Sequence, residues 1–141
     1  MAVMLAATLL GPALASAMPP VRDAVLPRLA VLGRIQPGLW ALRDREPDGR
    51  TRQQCIVDPD MFVQLAHPGP RCQRFVIDDQ PVTGTVHYSC PGAGHGRTTI
   101  RLETPALIQI DSQGVTAGAP FSMAVEGRRL GDCPAAGRRR R

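Results

Sequence analysis

The sequence contains no lysine and no asparagine, and aromatic residues make up only 4% of its 141 residues. A stacking platform for sugars or single-stranded nucleic acid needs several exposed rings, so the scarcity of aromatics argues against those ligands. The absence of lysine beside 17 basic residues, all of them arginine, is typical of a GC-rich coding bias rather than of selection for arginine chemistry.

The basic charge of the chain is concentrated at its end. The formal net charge is +5, but residues 138–141 are four consecutive arginines, and without them 13 basic residues face 12 acidic ones. A nearly neutral body does not indicate specific nucleic-acid binding. We expect residues 135–141 to form a solvated, disordered arginine tail, with weak contact to acidic lipid or polysaccharide as the alternative.

Long apolar runs are absent except at the N-terminus. Residues 1–17 are apolar and end in Ala15-Ser16-Ala17, the pattern of a signal-peptide cleavage site, although the usual positive n-region is missing. This run is too short, and too interrupted by Gly11 and Pro12, to span a bilayer. We predict a signal peptide over 1–17 and a mature chain beginning at Met18. A buried N-terminal helix is the alternative.

Residues 18–36 are punctuated by proline and are predicted to be a lead-in segment with a short helix after Pro27. From residue 37 onward, apolar and polar residues alternate with a period of two, which is typical of β-strands. Residues 37–134 are therefore predicted to form a single β-rich domain in which Trp40 belongs to the core. Asp58 and Pro59 predict the start of a second short helix. Seven short strands joined by glycine and proline turns predict an all-β antiparallel meander, either a curved sheet or a small barrel.

Turn signals divide these strands. Asp48-Gly49 predicts a hairpin, residues 91–96 predict a glycine-rich loop, and residues 112–114 predict a further turn before the last strand.

Four cysteines are present, and none forms a C-x-x-C pair, which excludes zinc-ribbon and thioredoxin-like sites. In an exported chain they predict two disulfides, with buried free thiols as the alternative. A hairpin centred on Pro81 places Val76 opposite Val86 and Cys72 opposite Cys90, so we predict Cys72–Cys90 and Cys55–Cys133. The pairing Cys55–Cys72 with Cys90–Cys133 stays open, because a slip of one residue in the hairpin separates Cys72 from Cys90.

Candidate chemistry is sparse. The only histidines are His67, His87 and His95, and no two share a metal-ligand spacing, so we expect surface or turn histidines and no metal site. The glycine-rich loop lacks the phosphate-loop pattern and leads into a strand. Because Arg97 can pair with an anion, His95 and Arg97 form a possible loop site.

No catalytic constellation is apparent. Asp78 and Asp79 are adjacent and therefore point to opposite faces of a strand, and neither Ser89 nor Ser122 has a nucleophile-elbow context. We therefore predict no catalytic, metal-binding or cofactor-binding residues and no enzymatic activity.

Several short motifs together resemble a known family. They are Pro37-Gly38-Leu39-Trp40 at the first strand, Gln54-Cys55, the second cysteine Cys72, the strand Thr85–Cys90, and Arg128-Arg129-Leu130-Gly131-Asp132-Cys133. Across residues 35–134 this pattern resembles the bacterial domain of unknown function 3617 family, although the glycine-rich segment at 91–96 departs from many of its members. The resemblance implies an exported, periplasmic β-rich protein of bacteria, and it implies no activity.

The expected function is that of a periplasmic or secreted, non-catalytic binding module. Its partner is expected to be a small apolar ligand or another protein of the cell envelope, because a curved sheet with one buried face is a fold that holds ligands. The alternative is a structural or protein-interaction module without a small ligand.

Overall fold

The computed structural model describes residues 28–135, and the seven strands in this part of the chain form one antiparallel sheet. Their order across the sheet is β2-β1-β7-β6-β5-β4-β3, so the predicted meander is confirmed. Because β2 and β3 are edge strands and do not pair with each other, the sheet is open and does not close into a barrel. The strands are β1 (Gly38–Asp44), β2 (Thr51–Ile56), β3 (Gln73–Asp79), β4 (Thr83–Cys90), β5 (Gly94–Thr104), β6 (Leu107–Thr116) and β7 (Ala119–Gly131).

Two short 3-10 helices, η1 (Ala30–Arg34) and η2 (Pro59–Gln64), cover one face of the sheet, which we call the inner face. η2 begins as predicted: Pro59 occupies its first turn, and the Asp58 side chain accepts a hydrogen bond from the backbone N–H of Asp60 at 3.0 Å. Trp40 is fully buried, as predicted, and its ring meets that of Phe62 edge to face at 5.2 Å. The buried apolar side chains form one core between the sheet and the two helices.

Part of the predicted lead-in segment belongs to this core. Leu29, Val31, Leu32 and Ile35 are all buried, so the domain begins before residue 37. Gly84 in β4 makes room for the first of them, since a Cβ there would lie 2.9 Å from a methyl group of Leu29. The predicted signal peptide, residues 18–27 and residues 136–141 of the predicted tail lie outside the described residues.

Two predicted connections are wrong. The glycine-rich loop is only a turn over residues 91–93, because β5 already begins at Gly94. Residues 112–114 lie inside β6, and the turn to β7 is instead at Ala117 and Gly118, which both have positive φ, at 48° and 78°. The glycines at 94, 96 and 114 permit close approach of other atoms rather than chain reversal.

Both predicted disulfides are present. Cys72–Cys90 has a Cα–Cα distance of 4.7 Å, and Cys55–Cys133 has one of 5.4 Å. The predicted register of the β3–β4 hairpin, with Val76 opposite Val86, is also confirmed. A register shift follows immediately, leaving Ile77 as an extra residue in β3. Within residues 28–135 no helix has the length and apolar character needed to cross a membrane.

Candidate functional site

The predicted site residues His95 and Arg97 lie in a strand and not in a loop. Both are exposed on β5 and point away from η1 and η2, on the face that we call the outer face. Arg97 stands directly opposite His87 of β4 and Gln113 of β6. The rings of His87 and His95 have their centroids 5.7 Å apart. We call His87, His95 and Arg97 the outer-face cluster.

The depression around this cluster has a mixed polar and apolar lining that includes no carboxylate. A shallow depression of about 410 Å³ contains the cluster, and the rest of its lining is Gln113, Gly114, Val115 and Phe121. Among the described residues Arg97 takes part in no ion pair. The neighbouring carboxylate on this face is Asp111 of β6, opposite Thr99, and it is bound by Arg45. The cluster therefore combines hydrogen-bond donors with one positive charge that forms no ion pair among the described residues.

The third histidine, His67, is buried, contrary to the surface position expected for it. Its Nε2 lies 3.2 Å from the carbonyl oxygen of Val115, which can only accept, so Nε2 carries the proton. The Tyr88 hydroxyl, 3.0 Å away, then donates to Nδ1. Burial raises the pKa of Tyr88, and a hydrogen bond from Ser112 partly offsets that rise. This network satisfies buried polar groups and has no solvent-exposed side chain, which assigns it a structural role.

A second depression lies at the seam between the two edge strands, where residues near η2 also line it. This seam cleft has a volume of about 220 Å³ and contains residues of β2, η2 and β3 in its lining, with Met61, Leu65 and Pro68 as its apolar part. Its polar wall is a buried ion pair in which Arg74 donates to Asp60 at 2.8 Å, and Arg71 binds the other oxygen of the same carboxylate. Desolvation, reinforced by the charge of Arg71, lowers the pKa of Arg74 to about 10, so the guanidinium stays charged at neutral pH.

A third surface feature is a set of exposed apolar side chains on the edge strand β3 and in the turn after it. Phe75 and Ile77 in the edge strand β3 are 70% and 46% exposed, and Val82, just before β4, is also 46% exposed. We call these three residues the β3 surface. It adjoins the outer-face cluster, because Phe75 stands directly opposite His87.

No catalytic arrangement arises among residues 28–135, and no group of three or more His, Cys, Asp or Glu side chains there has the spacing of a metal site. Sequence reasoning missed the proximity of His87 and His95, since it sought spacings along the chain. The register of the β4–β5 hairpin, in which Cys90 faces Gly94, brings the two rings together diagonally. A turn centred on Gly92 was the signal that could have revealed it.

No protein-family model matches this chain, and no curated protein or solved structure does either. The resemblance to the domain of unknown function 3617 family therefore stays a prediction. The surfaces described above are the basis for any functional conclusion.

Proposed function

We propose that this chain is an exported, non-catalytic binding domain that engages a partner protein of the cell envelope through the β3 surface. The observation that carries the proposal is the exposure of Phe75 and Ile77 on the edge strand β3 and of Val82 in the turn that follows it. Exposed apolar side chains beside polar surface are candidates for an interaction site. An edge strand adds unpaired backbone N–H and C=O groups, which accept a further strand.

The inner face favours a protein partner over a ligand held within the sheet. Side chains of η1 and η2, among them Leu32, Phe62 and Val63, occupy the space that an open curved sheet would offer to a ligand, and they are buried there. A partner must then bind at the outside of the domain, where the β3 surface contains three of the exposed large apolar side chains of the described residues.

The geometry of β3 limits how the partner binds. The Cys72–Cys90 disulfide fixes the start of β3 to β4, so this edge is held in an extended conformation before any partner arrives. The extra residue Ile77 interrupts the ladder and bends the strand. An added strand therefore pairs with Gln73–Val76, and Ile77 and Val82 supply apolar contacts beyond it.

Export to the periplasm or out of a bacterial cell is supported by the two disulfides, which persist in oxidising compartments. The Ala15-Ser16-Ala17 pattern supports it independently. N-terminal sequencing of the protein from the periplasm or culture medium should begin at or near Met18. Retention of Met1 in that fraction contradicts cleavage.

The partner is tested by placing a photoreactive phenylalanine analogue at position 75 in the producing cells. We expect an adduct with another protein, and we expect its loss when Ile77→Asp is added to the same chain. The matched control is the analogue at the exposed position Arg128 of β7, at the other side of the sheet, which should give no adduct. An adduct of twice the mass of this chain, or none at all, contradicts the proposal.

A second candidate is a small apolar ligand in the seam cleft, favoured by the apolar lining of Met61, Leu65 and Pro68. Its volume, about 220 Å³, is smaller than the range of about 300–1,000 Å³ typical of sites for drug-sized ligands, so only a small ligand fits. Native mass spectrometry of protein from the periplasm should then show a bound small molecule that Leu65→Trp displaces. Unliganded protein throughout contradicts this candidate.

A further inference from the structure

We propose that the outer-face cluster of His87, His95 and Arg97 is a binding site for a small oxyanion, either a free sulfate or phosphate group or the phosphate of a lipid headgroup. This site lies on a different surface from the seam cleft, and it does not depend on a partner at the β3 surface. Arg97 is exposed on the interior strand β5 and has no ion-pair partner among the described residues.

Arg97 differs from the neighbouring arginines on this face, because each of those has a carboxylate partner. Arg101, four residues later on the same strand and the same face, lies 3.7 Å from Glu103. Arg45, which reaches this face, is bound to Asp111. The depression that contains the cluster has no acidic side chain in its lining, and Asp111, which lines a second depression beside Arg97, is bound to Arg45.

The groups beside Arg97 add donors of the right kind. A guanidinium binds an oxyanion through parallel N–H···O hydrogen bonds, and Gln113 directly opposite offers an amide N–H. His87 and His95 both line this depression, and each imidazole donates from at least one ring nitrogen. All three cluster residues are on β4 and β5, strands that are paired on both sides, which limits the reorganisation that binding requires.

The same charges argue against a metal cation at the paired imidazoles. A cation between His87 and His95 would lie beside the guanidinium of Arg97, with no carboxylate in the depression to compensate. The cluster also lacks a third ligand of the His, Cys, Asp or Glu type. An anion, in contrast, is attracted by the charge of Arg97 and by that of any protonated histidine in the cluster.

Anion affinity should rise as pH falls. Histidine side chains gain positive charge as pH falls, and any charge gained by His87 and His95 adds to that of Arg97. The groups that face these imidazoles are Arg97 from β5, Gln113 from β6 and the uncharged Phe75 from β3. The acids near them on this face are Asp111 of β6, which is bound to Arg45, and Asp78 of β3, opposite Thr85. Neither carboxylate lines the depression that contains the two histidines.

Sulfate is the better probe, because its charge is constant over the range in which histidine titrates. Sulfate is titrated into the mature full-length chain at about pH 5.5 and about pH 8, on either side of the histidine pKa, with ionic strength held constant by chloride. The imidazole resonances are followed by NMR. We expect saturable shifts at His87 and His95 but not at the buried His67, and tighter binding at the lower pH.

Variants decide the assignment. Arg97→Gln should weaken sulfate binding about tenfold or more, the loss expected for a hydrogen bond to a charged group. The matched control Arg101→Gln, on the same strand and face, should leave the affinity unchanged. His87→Gln with His95→Gln should abolish the pH dependence while Arg97 retains weak binding. Equal effects of Arg97→Gln and Arg101→Gln, or no saturable shift at about pH 5.5 in the protein as isolated, overturn the proposal.

A second experiment distinguishes a lipid headgroup from a free oxyanion as the source of the anion. Vesicles of phosphatidylglycerol and of phosphatidylcholine are sedimented with the protein and with Arg97→Gln. Binding to phosphatidylglycerol that is lost in Arg97→Gln assigns the site to a lipid headgroup. Sulfate binding without vesicle binding assigns it to a free oxyanion. Vesicle binding that Arg97→Gln does not alter, combined with no saturable sulfate shift, contradicts a site at this cluster.

Discussion

Tyr88 is the only tyrosine of the chain, and its side chain is fully buried between η2 and β5. Its hydroxyl belongs to the network that contains His67, and burial raises its pKa. A single tyrosine makes the ionisation directly observable, because no other phenol contributes to the near-ultraviolet absorbance.

We expect the absorbance titration of the folded protein to have its midpoint above pH 10, the ordinary value of tyrosine. A pKa raised in the folded state means that the stability linked to this group is present below about pH 10 and is lost as pH rises above it. The same titration in denaturant is the control and should return the ordinary value. Coincident midpoints in the two conditions would show that Tyr88 is solvated.

Gly96 stands opposite Tyr88 and makes room for it. A Cβ at position 96 would lie 2.5 Å from the hydroxyl oxygen and 2.6 Å from the ring carbon that bears it. Gly96→Ala should therefore destabilise the fold by about 1–3 kcal/mol, the usual cost of overpacking. The measurement is the free energy of unfolding in urea.

Gly33→Ala is the matched control for that substitution, since nothing lies within 4 Å of a Cβ at position 33. It should be neutral or should stabilise by about 0.4–1 kcal/mol, because alanine restricts the unfolded chain. Equal effects at the two positions would mean that Gly96 serves the backbone conformation and not the space for Tyr88.

At the scale of elements, η2 is held to the edge strand β3 by the ion pair of Asp60 and Arg74. Both side chains are almost completely buried, at 7% and 4% exposure. Arg74 also donates to the backbone carbonyl of Asp60 at 3.0 Å, so the pair joins the helix backbone as well as its side chain.

Asp60→Ala should cost about 3–5 kcal/mol of unfolding free energy, because it leaves a buried guanidinium without its carboxylate. The double variant Asp60→Leu with Arg74→Met should cost less than the sum of the single changes, since it removes both charges. The exposed pair Arg128 and Glu126 provides the comparison: Arg128→Gln should cost less than about 1 kcal/mol. Additive effects in the double variant would mean that the two side chains act independently.

At the scale of the whole molecule, the two disulfides constrain loops of very different length. Cys55–Cys133 joins residues 78 apart and ties β2 to the segment after β7, whereas Cys72–Cys90 joins residues 18 apart within one hairpin. Cross-links over longer loops remove more entropy from the unfolded chain.

Replacing both cysteines of a bridge by alanine should therefore cost about 4.5 kcal/mol for Cys55 and Cys133 but only about 3 kcal/mol for Cys72 and Cys90 on the chain-entropy model. Urea unfolding under non-reducing conditions measures both variants against the parent chain. The reverse order would show that strain or packing around the bridges, and not loop length, sets their contribution.

The sequence by itself determined the features that depend on local pattern and short range. Alternation along the strands predicted the β meander, Asp58 and Pro59 predicted the start of η2, and the Pro81 hairpin predicted Cys72–Cys90 and with it the other bridge. In each case the physical cause, a side-chain period, a capping hydrogen bond or a turn, acts within about twenty residues.

Only the tertiary structure decided whether particular glycines lie in strands or turns, and whether particular histidines are buried or exposed. Gly96 and Gly114 belong to segments whose composition predicts a loop and a turn, yet both lie in strands. Glycine is needed at these positions because Tyr88 and the backbone of His95 occupy the space that a side chain would take. His67 is buried and His95 is exposed, although both are next to glycine or proline in the sequence. Whether the sheet closes was likewise decided by packing: η2 packs on β4 and β5 inside the curved sheet, and β2 and β3 remain unpaired edges.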